Sequence, residues 1–205
     1  MCWQGQRWVR VRLSLLTKAT SGCTIREAVL KTNIKKIAVI GPESTGKSTI
    51  CEALAAELQT VWVKEYAREY LELLPYEYTQ ADLLAIAKGQ MKEEDTLLPT
   101  ANNYLICDTE LNVIKVWSEH KYGSCDTQIL DEIAVRRYDL YLLTDVDMPW
   151  QFDPLREHAE DHMRRYFFNV YKDIVLNSET PWVQISGGSA PARLQLALQA
   201  VMRLL

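Results

Sequence analysis

Glycine and proline are scarce in this chain, 8 and 7 of 205 residues, which excludes collagen-like and low-complexity architectures. No apolar run approaches the roughly 18–20 residues that cross a bilayer, so no membrane helix and no membrane partner are expected. The five cysteines (Cys2, Cys23, Cys51, Cys107 and Cys125) are odd in number and form no C-x-x-C pair. That excludes a zinc ribbon and a disulfide scaffold, and points to buried or incidental thiols in a reducing, cytoplasmic compartment. The three histidines (His120, His158 and His162) lack metal-site spacing, and the last two read as a solvated helix face. There is no excess of positive charge: the net charge is −4, which gives no reason to expect a nucleic-acid partner.

What is present is ordinary globular material, 48% apolar and 24% charged, enough for one domain with a sizeable core. The charge is uneven. Residues 1–36 hold eight Lys/Arg and one acid, leaving net −11 for the remainder. Residues 1–34 therefore read as a basic, poorly ordered extension. Neither a signal peptide nor a lipoprotein site fits them, because the apolar stretch at residues 13–16 is too short. Residues 35–205 read as the folded domain.

Short runs rich in β-branched and apolar residues at 36–40, 61–63, 104–107, 140–143 and 182–185 read as strands buried on both faces. Helices are expected over 48–58, 65–74, from Thr79 to about 96, 111–119, 127–137, 158–176 and 192–205. Thr79 and Asp82 have capping-box spacing. The alternation implies an α/β three-layer fold, a five-stranded parallel sheet with helices on both faces. Ligands bind such sheets at the carboxyl ends of the strands, where Gly41, Glu65, Asp108, Asp145 and Ser186 fall.

Residues 41–48, GPESTGKS, match G-x-x-x-x-G-K-[ST] between a strand and a helix. Glycines there let successive backbone N–H groups face a phosphate chain, and the helix N-terminus adds its dipole. Gly41, Glu43, Ser44, Thr45, Gly46, Lys47, Ser48 and Thr49 are thus candidates for binding ATP, with Lys47 on the outer phosphates and Ser48 on Mg²⁺. Asp108 suits the metal shell or the catalytic centre. Glu110 could share that work or simply sit in a helix first turn. Glu65 could accept a hydroxyl proton and Arg68 could hold substrate, although an ordinary i,i+3 ion pair also explains them. Residues 145–156 read as a lid delivering Arg156 to transferring charge. Trp150 could stack on a substrate ring, or pack the loop. Arg164 and Arg165 read as a solvated face, Trp117 and Tyr122 as core or cleft, and residues 186–189 as an adenine contact or a plain turn.

With these residues in place, the body resembles the ribosylnicotinamide kinase domain of NadR-type NAD-biosynthesis proteins. The strings IAVIGPESTGKST, KEYAREYLE, LLAIAKGQ, LICDTELNVIKVW, YDLYLLT and DVDMPWQFDPLRE carry the likeness over about residues 36–190. The resemblance implies a P-loop nucleoside-kinase-like fold. It implies ATP- and Mg²⁺-dependent phosphorylation of the ribose 5′-hydroxyl of nicotinamide riboside. It further implies Lys47 and Ser48 on phosphate and Mg²⁺, Asp108 at the catalytic centre, Glu65 and Arg68 on the acceptor, and Asp153 and Arg156 in the lid. The adenylyltransferase domain of that family has no counterpart in the 35 or so residues before the P-loop strand, so the product expected is the mononucleotide. Lys64 stands where an aromatic residue often precedes EYxRE. Two other readings remain open: a kinase for another nucleoside, and a non-catalytic nucleotide-dependent switch or binding module.

Overall fold

The computed structural model describes residues 34–204; the expected basic extension lies outside the described residues. Five strands, β1 (Lys35–Ile40), β2 (Trp62–Val63), β3 (Tyr104–Asp108), β4 (Leu140–Thr144) and β5 (Trp182–Ile185), form one parallel sheet in the order β2-β3-β1-β4-β5. The five expected strands are all found. β1 is central because it is apolar on both faces and carries no charge past Lys36. Ile37, Val39, Ile106, Leu140 and Leu142 pack on one side of the sheet with α1 (Lys47–Glu57) and α7 (Ala190–Met202). Ala38, Ile40, Leu105, Cys107 and Leu143 pack on the other with α4 (Leu111–Tyr122) and α6 (Asp161–Asn177). A third cluster joins α2 (Tyr66–Glu72), α3 (Gln80–Leu97), α4 and α5 (Thr127–Val135). Two helical layers around one sheet follow from strands buried on both faces.

Local chemistry sets the helix ends. Thr79 and Asp82 form the expected capping box at α3, with the Asp82 carboxylate accepting from Thr79 N at 2.8 Å. Two helix starts differ from expectation by two residues or more, and α4 runs three residues past its expected end, to Tyr122. α6 begins at Asp161 rather than residue 158, because residues 157–158 commit their backbone N–H groups to Glu43 instead of to a helix. α7 begins at Ala190 rather than residue 192, because Ser189 caps it and Pro191 fits its first turn.

The chain leaves β1 for β2 on one side of it and later crosses from β3 past β1 to β4 on the other. That makes the carboxyl end of β1 the switch point, where a crevice opens in such sheets. No helix among the described residues is long and apolar enough to cross a membrane.

Candidate active site

Residues 41–48 leave β1 at this switch point and enter α1. Gly41 has φ +145°, and a Cβ there would lie 2.3 Å from Thr144 Oγ1, so only glycine lets the loop lie against the end of β4. Thr45 is fully buried; its hydroxyl donates to Pro42 O at 2.7 Å and meets Thr144 Oγ1 at 2.7 Å. Gly46, at φ +77°, is the N-cap of α1 and supplies no side chain to the first turn, so no side chain caps the N–H groups that open the helix. Lys47 Nζ arches back to Pro42 O at 3.0 Å. A glycine-bearing loop leading into a helix N-terminus in this way suits an anion.

Asp108 ends β3 opposite Val39 of β1. It is 1% exposed, and neither carboxylate oxygen makes a hydrogen bond of normal length. Burial, reinforced by the charge of Glu65, pushes its carboxyl up to about 7, against the pull of Lys47 and the nearby Ser48 hydroxyl. Asp108, Glu65, Lys47 and Ser48, from three separate segments, are thus brought together. Glu65 itself lines the cleft with residues 43–49 and Arg68, while Asp108 lies beneath its floor.

An orphaned buried carboxylate beside a serine hydroxyl suits a hard, oxygen-seeking cation. No cluster of three or more His, Cys, Asp or Glu that could hold an ion occurs among the described residues. A Mg²⁺ ion, which keeps most of its water and phosphate ligands, needs only one or two protein oxygens, and Ser48 and Asp108 would supply them.

Glu65 is held in place by a residue the sequence reading did not assign. Gln90 of α3 is 2% exposed; its Oε1 accepts from Tyr66 N at 2.8 Å and its Nε2 donates to Lys64 O at 3.3 Å. The adjacent Gly89 makes room for the Tyr66 ring, which a Cβ would strike at 2.0 Å. Apolar groups of Ala67, Leu71, Trp117 and Leu155 form the far wall of the cleft. Tyr122 is turned away and donates to Tyr78 O at 2.6 Å.

Residues 145–160 lie over the P-loop. Ser44 Oγ accepts from Gln151 N at 2.9 Å and from Arg156 at 3.4 Å, and the Glu43 carboxylate accepts from Glu157 N and His158 N at 3.1 Å. Glu43 and Ser44 therefore hold the lid with their side chains. Asp153 accepts from Leu155 N at 3.0 Å, and it pairs with Arg68 at 3.0 Å and Arg156 at 3.8 Å. Those contacts, led by the Leu155 N–H, hold its carboxyl below the usual range. Trp150 does not line the cleft; its ring lies 5.8 Å from the Arg156 guanidinium and 6.0 Å from that of Arg164. Phe152 is 88% exposed. Arg164 corrects the expectation of a solvated face: it is 3% exposed and donates to Met148 O and Ser44 O at 2.9 and 3.4 Å. Arg165 is exposed and pairs with Asp145 at 3.4 Å.

Glu110 is a helix cap and not a cleft residue. Its Oε2 accepts from Asn112 N at 3.0 Å, while its buried Oε1 has no partner. Burial pushes its carboxyl up to about 7. A raised carboxyl binds its proton more tightly in the folded chain, so stability present at pH 5 is lost as pH rises towards 7. With divalent ions chelated, Glu110→Gln should therefore gain on the parent between pH 5 and 8, ending on the order of 5 °C higher in Tm. Scanning calorimetry across that range checks this; a constant or shrinking difference contradicts it.

A glycine-bearing loop closing on a lysine, set between strand and helix at the switch point of a parallel sheet, defines a P-loop nucleotide-binding protein. The family model described as "AAA domain" matches residues 36–193, and the chain belongs to that family. A curated relative, the trifunctional NAD biosynthesis/regulator protein NadR of Salmonella typhimurium, is 23% identical over 178 residues, 84% of this chain and 43% of that protein. The chain thus spans under half the length of that relative. Among solved structures, NadR protein in complex with NR aligns with a TM-score of 0.64 at 22% identity, over 85% of this chain and 52% of that one. Deoxyadenosine kinase from M. mycoides aligns at 0.56 and 15%, over 82% and 99%. These likenesses establish the fold as that of P-loop nucleoside kinases.

Proposed function

We propose that residues 35–205 are a nucleoside kinase domain that moves the terminal phosphoryl group of ATP to the ribose 5′-hydroxyl of nicotinamide riboside, giving the mononucleotide. The observation that carries this reading is the meeting, beside Lys47, of Glu65, which lines the cleft, with Asp108, which is buried next to it at the end of another strand. A nucleotide switch needs the P-loop and a metal-side acid. It has no need of a second carboxylate facing the place where an acceptor alcohol would sit.

The division of labour follows from exposure. Glu65 lines the cleft and can reach a hydroxyl, so it is the group that takes the proton. Asp108 is buried, unpartnered and next to Ser48, so the pair would hold Mg²⁺. When bound, the ion supplies neutralisation of phosphate charge. Lys47 and the N-terminal N–H groups of α1 hold the phosphate chain, and Arg156 stands at the P-loop to offset charge on the transferring group. Arg68, bound to Asp153 on the lid, and the wall of Trp117 and Leu71 would hold the acceptor and exclude water. Trp117 supplies the flat aromatic surface that Lys64 cannot.

The acceptor is tested by mass spectrometry of products formed from ATP, Mg²⁺ and a panel of nucleosides. Nicotinamide riboside is expected to gain one phosphoryl group at a rate well above the others. The second reading, a deoxynucleoside kinase, draws on the fold likeness to deoxyadenosine kinase. Phosphorylation of a deoxynucleoside in preference to nicotinamide riboside would establish it instead, and ATP binding without any phosphorylated alcohol would establish a switch.

A further inference from the structure

Arg193, near the start of α7, is fully buried. Four of its five N–H donors are used. Nε donates to Gly187 O at 3.0 Å, one terminal nitrogen to Thr45 O, and the other to Asp145 O at 2.8 Å and to the Asp147 carboxylate. The second Asp147 oxygen accepts from Gly187 N at 2.5 Å. One guanidinium thus joins three loops at the carboxyl edge of the sheet: the P-loop, the start of the lid and the turn after β5. It also lies under the P-loop's second glycine, where a Cβ on Gly46 would come within 3.9 Å of it. A buried arginine bound to backbone carbonyls of three loops holds their spacing, because its planar fork leaves each carbonyl one direction to point.

We infer that Arg193, with Asp147 as its counter-charge, is a positioning residue for the nucleotide. It aims the Thr45–Gly46 backbone at the phosphates and fixes residues 186–189 at a set distance from them. This rests on the nucleotide-dependent function proposed above. Neither side chain touches the acceptor side of the cleft, which is built from Glu65, Arg68 and Trp117. The effect therefore falls first on nucleotide affinity.

Arg193→Lys keeps the charge but offers one nitrogen, which cannot span Gly187 O, Thr45 O and Asp145 O together. Nucleotide affinity of the full chain is measured by calorimetric titration with a non-hydrolysable ATP analogue and Mg²⁺, and turnover at saturating ATP by steady-state kinetics. The expected result is affinity weakened about tenfold to a hundredfold, the scale of one or two lost charge-assisted hydrogen bonds, with kcat held within about threefold and the acceptor KM unmoved. A merely structural role gives the opposite split: fewer active molecules, hence lower kcat, at unchanged affinity. Asp147→Asn, at a side chain 32% exposed, opens no cavity and keeps the test alive if Arg193→Lys does not fold; a weakening of about threefold to tenfold is expected. Parent affinity in either folded variant, or a loss of kcat alone, overturns the inference and leaves the kinase reading standing. A parent chain that binds no nucleotide overturns both.

Discussion

Asp108→Asn should cripple phosphoryl transfer while making the metal-free fold more stable. Loss of the carboxylate removes the buried anion that would hold Mg²⁺ beside Ser48, and a drop in kcat of about 10²–10⁴ is expected. Stability moves the other way for a physical reason. Neither oxygen of Asp108 has a hydrogen bond of normal length, and burial pushes its carboxyl up to about 7. The parent therefore loses stability as pH rises from about 4 to 7, and above that range carries the full cost of an ionised, unpartnered group. Asparagine is neutral, so at pH 8 with divalent ions chelated the variant should melt above the parent, by a margin that shrinks towards pH 5. A variant that is inactive and also less stable at pH 8 would mean that Asp108 is a structural partner rather than a poised ligand.

Lys47→Met carries the second large effect. The lysine's charge pulls against the raised Asp108 carboxyl, and its ammonium arches over the P-loop to Pro42 O. Methionine keeps the aliphatic stem and deletes the charge. Turnover should fall about 10²–10³, the scale of one preorganised charge lost from a water-poor site. ATP affinity should also fall, since the same ammonium holds the phosphates before and during transfer. The thermal midpoint should move little, because the one hydrogen bond lost is local to the loop. Turnover within threefold of the parent would remove Lys47 from the mechanism.

Much of the architecture was legible in the sequence, and the reasons are particular. The five strands could be read because each is a short run rich in apolar residues that ends at a polar or glycine residue; β3, β4 and most of β1 are buried on both faces, so no polar alternation obscures them, whereas β5, with Gln184, is only partly buried. Gly41 and Gly46 marked the phosphate loop because their backbone angles and close contacts admit little else. Glu65 and Asp108 could be placed near each other because both follow strands at one edge.

Arg164, Arg193 and Gln90 were misread or missed for a common reason. Each is a long polar residue on a helix, the pattern normally taken for a solvated face. The overlooked signal was spacing. Arg193 falls on the stripe of Ala197 and Val201, Arg164 on that of Phe167, Phe168, Tyr171 and Val175, and Gln90 on that of Leu83, Ile86 and Ala87. A charge or amide on the apolar stripe of an amphipathic helix must find buried partners. Here the partners are loop carbonyls and amides that sequence cannot place. Trp150 and Trp117 show the converse: one is in the loop after β4 and the other in α4, and only packing decided that Trp150 lies against Arg156 and Arg164 while Trp117 walls the cleft.

The most direct test is a stoichiometric one. The purified chain is incubated with ATP, Mg²⁺ and nicotinamide riboside, and ADP and phosphorylated nucleoside are quantified from the same reaction. Equal amounts of the two, both cut sharply by Asp108→Asn, are expected. ADP formed with no phosphorylated nucleoside, or neither formed although ATP binds, would contradict the claim that this phosphate loop serves an alcohol seated at Glu65.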